Sequence, residues 1–442
     1  MNAEPASRVR WMLVFWLFVL SAVSYLDRVN ISIAGSSIAH DYNLSNVQLG
    51  WVFSAFLIGY ALFQTPGGWL ADRLGSRRVL TIGVLWWGIF TALAAAVPST
   101  FAYALLLFIA MRFLLGAGEA IIYPASNQFV SRWIPSHERG IANGWIFAGV
   151  GAGAGITPPL ITYVMVHMGW RWSFWICAGI GIIAGAVWYA IARNSPEEHP
   201  RVSATELATI RAGRDAGGTS VAAGQAQEAL VPWRTILASR EVWAITFAYF
   251  CYGYVAWIFF SWFYIYLAKV RGLNLKASAF YAMLPFLAMA ACCPLGGLIS
   301  DWLTKRRGKR LGRCGLAVFA MALAAAFLTF GSSVESARVA SVVLAGGAGA
   351  LYLSQSSFWS TTADIGRASS GSVSGLMNMG GQMGGAITAS LTPAIASRYG
   401  WTASFAVAAV LSALGALAWL LVDPNRHLAP AAASVAQTGI AS

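Results

Sequence analysis

Twelve apolar runs, each about as long as a membrane crossing, constrain this chain before any motif is considered. They fall near 11–33, 48–70, 79–97, 100–122, 140–167, 171–192, 241–268, 278–299, 312–332, 336–358, 370–396 and 401–422. A helix needs about 20 predominantly apolar residues to cross the hydrocarbon core. The 442 residues are 58% hydrophobic and 10% charged, with a mean hydropathy of +0.64. A soluble domain carries about 25% charged residues, so the expected fold is an all-α membrane protein with twelve transmembrane helices. The net charge of +13 would suggest nucleic acid in a soluble chain. Here the basic residues gather in a few short loops, as membrane topology requires, so the expected partner is a lipid bilayer and no nucleic acid.

The loops after even-numbered runs carry most of the Lys and Arg: Arg73, Arg77 and Arg78; Arg132 and Arg139; Lys305, Arg306, Arg307, Lys309, Arg310 and Arg313. The positive-inside rule places these loops and both termini in the cytoplasm. The first apolar run continues into a charged helical stretch with no cleavage site, so it reads as a retained span. Residues 193–240 interrupt the pattern: SATELATIRAGRD suits a short amphipathic helix and AGGTSVAAGQAQEA a flexible link. The organisation expected is a first six-helix half over 1–192, a cytoplasmic linker over 193–240, a second half over 241–422, and a disordered cytoplasmic tail over 423–442. Cys177, Cys251, Cys292, Cys293 and Cys314 lie in or beside apolar runs without CxxC spacing, so they read as small core residues.

The halves repeat. At an offset of 231 residues, Gly144, Gly149, Gly153, Ile156, Thr157 and Leu160 match Gly375, Gly380, Gly384, Ile387, Thr388 and Leu391, and GAG at 116–118 matches GAG at 347–349. At an offset of 229, GGWLAD ending in Asp72 matches GGLISD ending in Asp301. An even number of spans per half makes the repeats parallel, two six-helix bundles related by a pseudo-two-fold axis along the membrane normal.

Against this apolar background, Arg112 and Glu119 stand in the fourth span and Asp27 and Arg28 in the first. Seven residues are just under two helical turns, so Arg112 and Glu119 share a face roughly 10 Å apart along the axis. Ionisable groups in a span line a water-filled pathway or pair with one another. Arg112–Glu119 could be a permanent ion pair that holds the bundle, and Asp27–Arg28 could mark the membrane boundary. The repeat maps 112 onto Val343 and 119 onto Ala350. A charge needed merely to build six helices would tend to recur, so the asymmetry favours a coupling role in the first half.

GWLADRLGSRR at 68–78, with its degenerate copy at 297–310, resembles the cytoplasmic loop motif of the major facilitator superfamily. The resemblance implies a gating role for Asp72 and Arg73. YLDRVN at 25–30 followed by RFLLGAGEA at 112–120 resembles the anion:cation symporter family within it, which includes proton-coupled carriers of galactonate, glucarate and hexuronates and also phthalate and vesicular organic-anion carriers. That resemblance implies that Asp27 and Glu119 are the protonatable pair and that Arg28 or Arg112 meets the substrate carboxylate. Tyr25 and Tyr60 in the first half, and Gln355, Ser357, Trp359 and Asn378 in the second, are the neutral groups suited to a polyhydroxylated acid. The fifth span, GVGAGAGITPPL, has no polar side chain around Gly149–Gly151, where some sugar-acid carriers have one, which leaves room for an aromatic or smaller carboxylate.

No nucleotide-binding loop, HExxH or nucleophile elbow occurs in a suitable context, and the five histidines are scattered. An enzyme, a metal and an organic cofactor are not expected; the coupling ion is a proton. The reading is a monomeric inner-membrane transporter that imports an organic anion by proton symport with alternating access. The alternatives are an uncoupled facilitator or antiporter of carboxylates, and a substrate-sensing transceptor.

Overall fold

In hydrocarbon an apolar segment can satisfy its own backbone only as a helix or within a closed barrel, and this chain takes the first course. A computed structural model describes residues 7–44, 46–215, 230–263, 266–273 and 275–428. The first half contains α1 (Val9–Asp41), α2 (Asn46–Leu74), α3 (Ser76–Ala96), α4 (Ala104–Glu119), α5 (Ile122–Trp133), α6 (Arg139–Met168) and α7 (Trp170–Ile191). Two short helices follow in the connection, α8 (Ala204–Asp215) and α9 (Trp233–Ala238). The second half contains α10 (Arg240–Ser261), α11 (Leu275–Arg307), α12 (Leu316–Ser333), α13 (Ala337–Leu353), α14 (Gln355–Gly366), α15 (Ser370–Tyr399) and α16 (Trp401–Trp419). The amphipathic helix expected in the linker is α8. The stretch 216–229 of the linker and 429–442 of the tail lie outside the described residues.

These helices make twelve crossings in two six-helix bundles, α4 being continued by α5 and α13 by α14. By length and mean hydropathy alone, ten helical segments among the described residues qualify. The other two are accounted for because Ala337–Tyr399 contains two crossings and α2, with 29 residues, is long enough to make one more. The fourth crossing runs further than the apolar run ending near 122. It breaks at Ala120–Ile121 and resumes to Trp133. Pro124 supplies the cause: it has no N–H for the carbonyl of Ala120, and its ring crowds that carbonyl. The tenth crossing breaks near the equivalent place, at Ser354, without a proline.

Within the first bundle α1 packs on α6, α2 on α4 and α3 on α7; within the second α10 packs on α15, α11 on α13 and α12 on α16. The halves meet through α6 against α11 and α2 against α15. The glycines of the fifth span serve this packing. A Cβ on Gly149 or Gly153 would lie 2.5 Å from the Phe18 carbonyl oxygen or 2.2 Å from that of Ala22, and one on Gly151 would lie 2.7 Å from the Cβ of Ala290. The absence of a polar side chain there therefore reflects close helix contact with α1 and α11. The loops rich in Arg and Lys share one end of the molecule, called here the basic face; the α6–α7 turn marks the far face.

Candidate functional site

Helix α1 presents two polar faces. Ser24, Tyr25 and Arg28, spaced three and four residues apart, point towards α2 and α4. Arg28 Nε donates to Glu119 Oε1 at 2.6 Å, and Ser24 Oγ donates to the same oxygen at 2.5 Å. The guanidinium lies 4.1 Å from the Tyr60 ring centroid and 4.8 Å from that of Tyr25. Glu119 is fully buried. The ion pair thus joins the first span to the fourth, and Glu119 does not pair with Arg112. Arg112 is 2% exposed, lies 4.8 Å over the Phe56 ring and leaves its Nε without a partner. Asp27 is 3% exposed and its carboxylate faces the Trp87 indole with no further partner; Arg112 and Glu119 are within its electrostatic reach.

Two acids and two guanidinium groups therefore share one buried region in the first half, with capacity to spare. Glu119 Oε2, one terminal nitrogen of Arg28, Arg112 Nε and the Tyr60 hydroxyl have no hydrogen-bond partner. A buried unpaired polar group costs about 1–3 kcal/mol and more when charged. Ionisable groups within a span are rare, and they pair with one another or line a water-filled cavity.

The second half contributes neutral groups. Gln355 Nε2 and Trp359 Nε1 both donate to the Tyr249 hydroxyl, at 3.1 and 3.3 Å. Ser357 Oγ is buried without a partner. Asn378 Nδ2 donates to Gln64 Oε1 at 2.8 Å, across the α2–α15 contact. Tyr123 stacks on Phe147 at 4.8 Å, and Trp359 lies 5.0 Å from Phe147, so aromatic surface bridges the halves.

On the basic face, two carboxylates fasten the halves in a repeated way. Asp72 accepts from the Gly371 and Ser372 amides, at 2.9 and 2.7 Å, and from Ser372 Oγ at 2.6 Å. Asp301 accepts from the Gly140 and Ile141 amides, at 3.0 and 2.7 Å, and from Arg313 at 2.7 Å. Each carboxylate sits at a helix N-terminus of the opposite half, where free amides and the helix dipole favour negative charge. Asp364 adds a buried ion pair to Arg139 at 2.6 Å. Arg73, the other expected gate residue, is exposed and stacks 4.2 Å over Trp69.

Sequence reasoning did not single out Ser24, Gln64, Tyr123 and Tyr249 as site residues. Gln64 carries a readable signal, an amide in an apolar helix; the aromatic hydroxyls do not, because tyrosine packs equally well in a core.

Fold and site together define a membrane transporter built from two helical bundles around a buried polar site. The chain belongs to the Major Facilitator Superfamily, whose family model matches residues 17–389. It is 32% identical over 419 residues, 94% of either chain, to a probable sulfoacetate transporter, SauU, of Cupriavidus necator. It is 34% identical over 315 residues to a probable galactarate/D-glucarate transporter, GudP, of Bacillus subtilis, covering 69% of this chain and 68% of that one. Among solved structures, the proton:xylose symporter XylE superposes with a TM-score of 0.71 over 96% of this chain and 98% of that one, at 15% identity. The transporter FucP in its outward conformation gives 0.68 over 93% and 99%, at 17% identity. At such identities the structural likeness concerns the fold alone.

Proposed function

We propose that this protein imports an organic anion together with protons, by alternating access around the buried cluster of Asp27, Arg28, Arg112 and Glu119. The observation that carries the reading is the Arg28–Glu119 pair at 2.6 Å with both partners incompletely satisfied. A substrate carboxylate or sulfonate arriving at Arg28 competes with Glu119 for the guanidinium fork. Once displaced, Glu119 loses its counter-charge in a desolvated place and takes up a proton. Proton and anion binding then favour one another, as linkage requires. With both acids protonated, the two guanidinium groups leave a net positive site that suits a small dianion; sulfoacetate, galactarate and D-glucarate, the compounds in the relatives' names, are of that class. Tyr25, Tyr60, Gln355, Ser357, Trp359 and Asn378 frame the remainder of the substrate.

In this reading the basic face is cytoplasmic, with both termini and the 193–240 segment on that side of the inner membrane. Asp72 and Asp301 hold it shut while substrate enters from the far face, and the monomer is the working unit. The test is uptake by purified protein in proteoliposomes across sulfoacetate, sugar diacids and aromatic acids, for wild type and Glu119→Gln. Loss of pH-driven uptake with counterflow exchange retained supports the reading; loss of both makes Glu119 structural, and retention of both removes it from coupling.

A further inference from the structure

The second polar face of α1 carries a feature that the cluster around Arg28 does not use. Asp27 and Asn30, one turn apart, point towards α3 and α7. Asn30 is fully buried; its Oδ1 accepts from Ser173 Oγ at 2.8 Å, and its Nδ2 lies 3.7 Å from Cys177 Sγ. Ser173 Oγ also reaches the carbonyl of Trp170 at 2.7 Å. Trp170 Nε1 in turn donates to Asp41 Oδ2 at 2.8 Å, at the end of α1. Asp41 lines an open cavity of about 660 Å³ on the far face, with Ser37, His40 and Arg171. Ionised Asp41 is held below the usual carboxylate range by the Trp170 N–H, with Arg171 assisting.

At the deep end the series reaches Asp27. The Trp87 indole of α3 lies beside it, and Trp87 Nε1 would be 3.2 Å from a Cβ on Gly181 of α7. Thr91 stands one turn nearer the far face on α3, the same direction in which Asn30 and Ser173 lie on their helices. Thr91 Oγ1 is buried and unpartnered, and Trp87 Nε1 and the Asp27 carboxylate face one another with no further partner. This polar seam runs between two apolar clusters, one holding Leu26, Ile161 and Cys177 and the other Ile31, Ala34, Phe108 and Phe174. Packing does not account for it, since buried polar groups without partners are costly.

We propose that the α1–α3–α7 seam is a proton route from the far face to Asp27, separate from the path of the substrate between the halves. The inference rests on the symport reading above. The charged and titratable groups facing Asp27 are Arg112 and Glu119 from α4 and Cys177 from α7, with Arg28 adjacent on its own helix. Asp27 thus meets the seam on one side and the substrate cluster on the other. Hydroxyl and amide groups of the seam orient hydrogen-bonded water, which carries the proton, while the guanidinium of Arg112 bounds its inner end.

The test uses full-length protein in proteoliposomes, with Thr91→Val and Ser173→Ala measured for pH-driven uptake and for counterflow exchange of the same anion. The expected result is a fall in initial pH-driven uptake of about tenfold or more, below the roughly hundredfold contributed by a group that itself transfers the proton because these hydroxyls act through water, with counterflow held within about twofold and Thr91→Ser restoring the lost rate. Equal loss of both activities, or no change in either, overturns the route, and so does a failure of Thr91→Ser to restore. A wild-type protein whose uptake ignores the pH gradient would instead refute the symport reading, and the route with it.

Discussion

The closure of the basic face can be opened by one methyl group. Gly68 in α2 lies so close to α15 that a Cβ there would be 2.0 Å from the Gly371 carbonyl oxygen and 2.6 Å from its carbon. A carbon–oxygen contact of about 3.3 Å is the least such atoms tolerate, so Gly68→Ala forces the helices apart by roughly 1 Å at that point. Asp72 holds the Gly371 and Ser372 amides at 2.9 and 2.7 Å, and that displacement carries both past the range of a good hydrogen bond. Hydrogen bonds to a charged group contribute about 1.5–3 kcal/mol each. Losing two shifts the balance against the closed face by roughly 3 kcal/mol, about two orders of magnitude in population. The assay is the distance distribution between spin labels on Arg78→Cys and Arg306→Cys, two exposed positions of this face in opposite halves. Gly68→Ala is expected to move the population to longer distances; Gly179→Ala, beside which nothing lies within 4 Å, should leave it unchanged. An unchanged distribution in Gly68→Ala would refute the argument that this contact and the Asp72 cap hold the face closed.

Two further outcomes follow from the same geometry. Arg28→Lys keeps the charge but loses the planar fork and the stacking on Tyr60 at 4.1 Å, so the KM for the transported anion should rise by about tenfold or more in uptake assays. Asp301→Ala leaves the fully buried Arg313 without its carboxylate at 2.7 Å. The thermal midpoint in detergent should fall by the equivalent of about 3 kcal/mol, the low end for a broken buried pair, because Ser300, the Ser136 carbonyl and Asp364 remain close to the guanidinium.

Much of the architecture was legible because the bilayer imposes it. The run lengths gave the crossings, and the shared offset paired Asp72 with Asp301 before their equivalent caps were visible. The intramembrane charges were also readable as a group. Their pairing was not. Which guanidinium faces Glu119 depends on the rotation of α1 about its axis, and that is set by contact of Phe18 and Ala22 with Gly149 and Gly153, 131 residues or so along the chain. The same glycines looked like a missing polar group when read in sequence. The break in the fourth crossing had a signal in Pro124, whereas the break at Ser354 had none. Asn30 stood within the YLDRVN stretch, yet its bond to Ser173 required the approach of α7, which no local pattern encodes.

The central claim is that anion entry brings protons with it through Glu119. The most direct measurement traps a pH-sensitive dye inside proteoliposomes that carry no initial gradient and adds the transported anion outside. Acidification of the lumen in step with uptake, absent in Glu119→Gln while that variant still exchanges anion, is the result expected. Uptake by the wild-type protein with no movement of lumenal pH would contradict it.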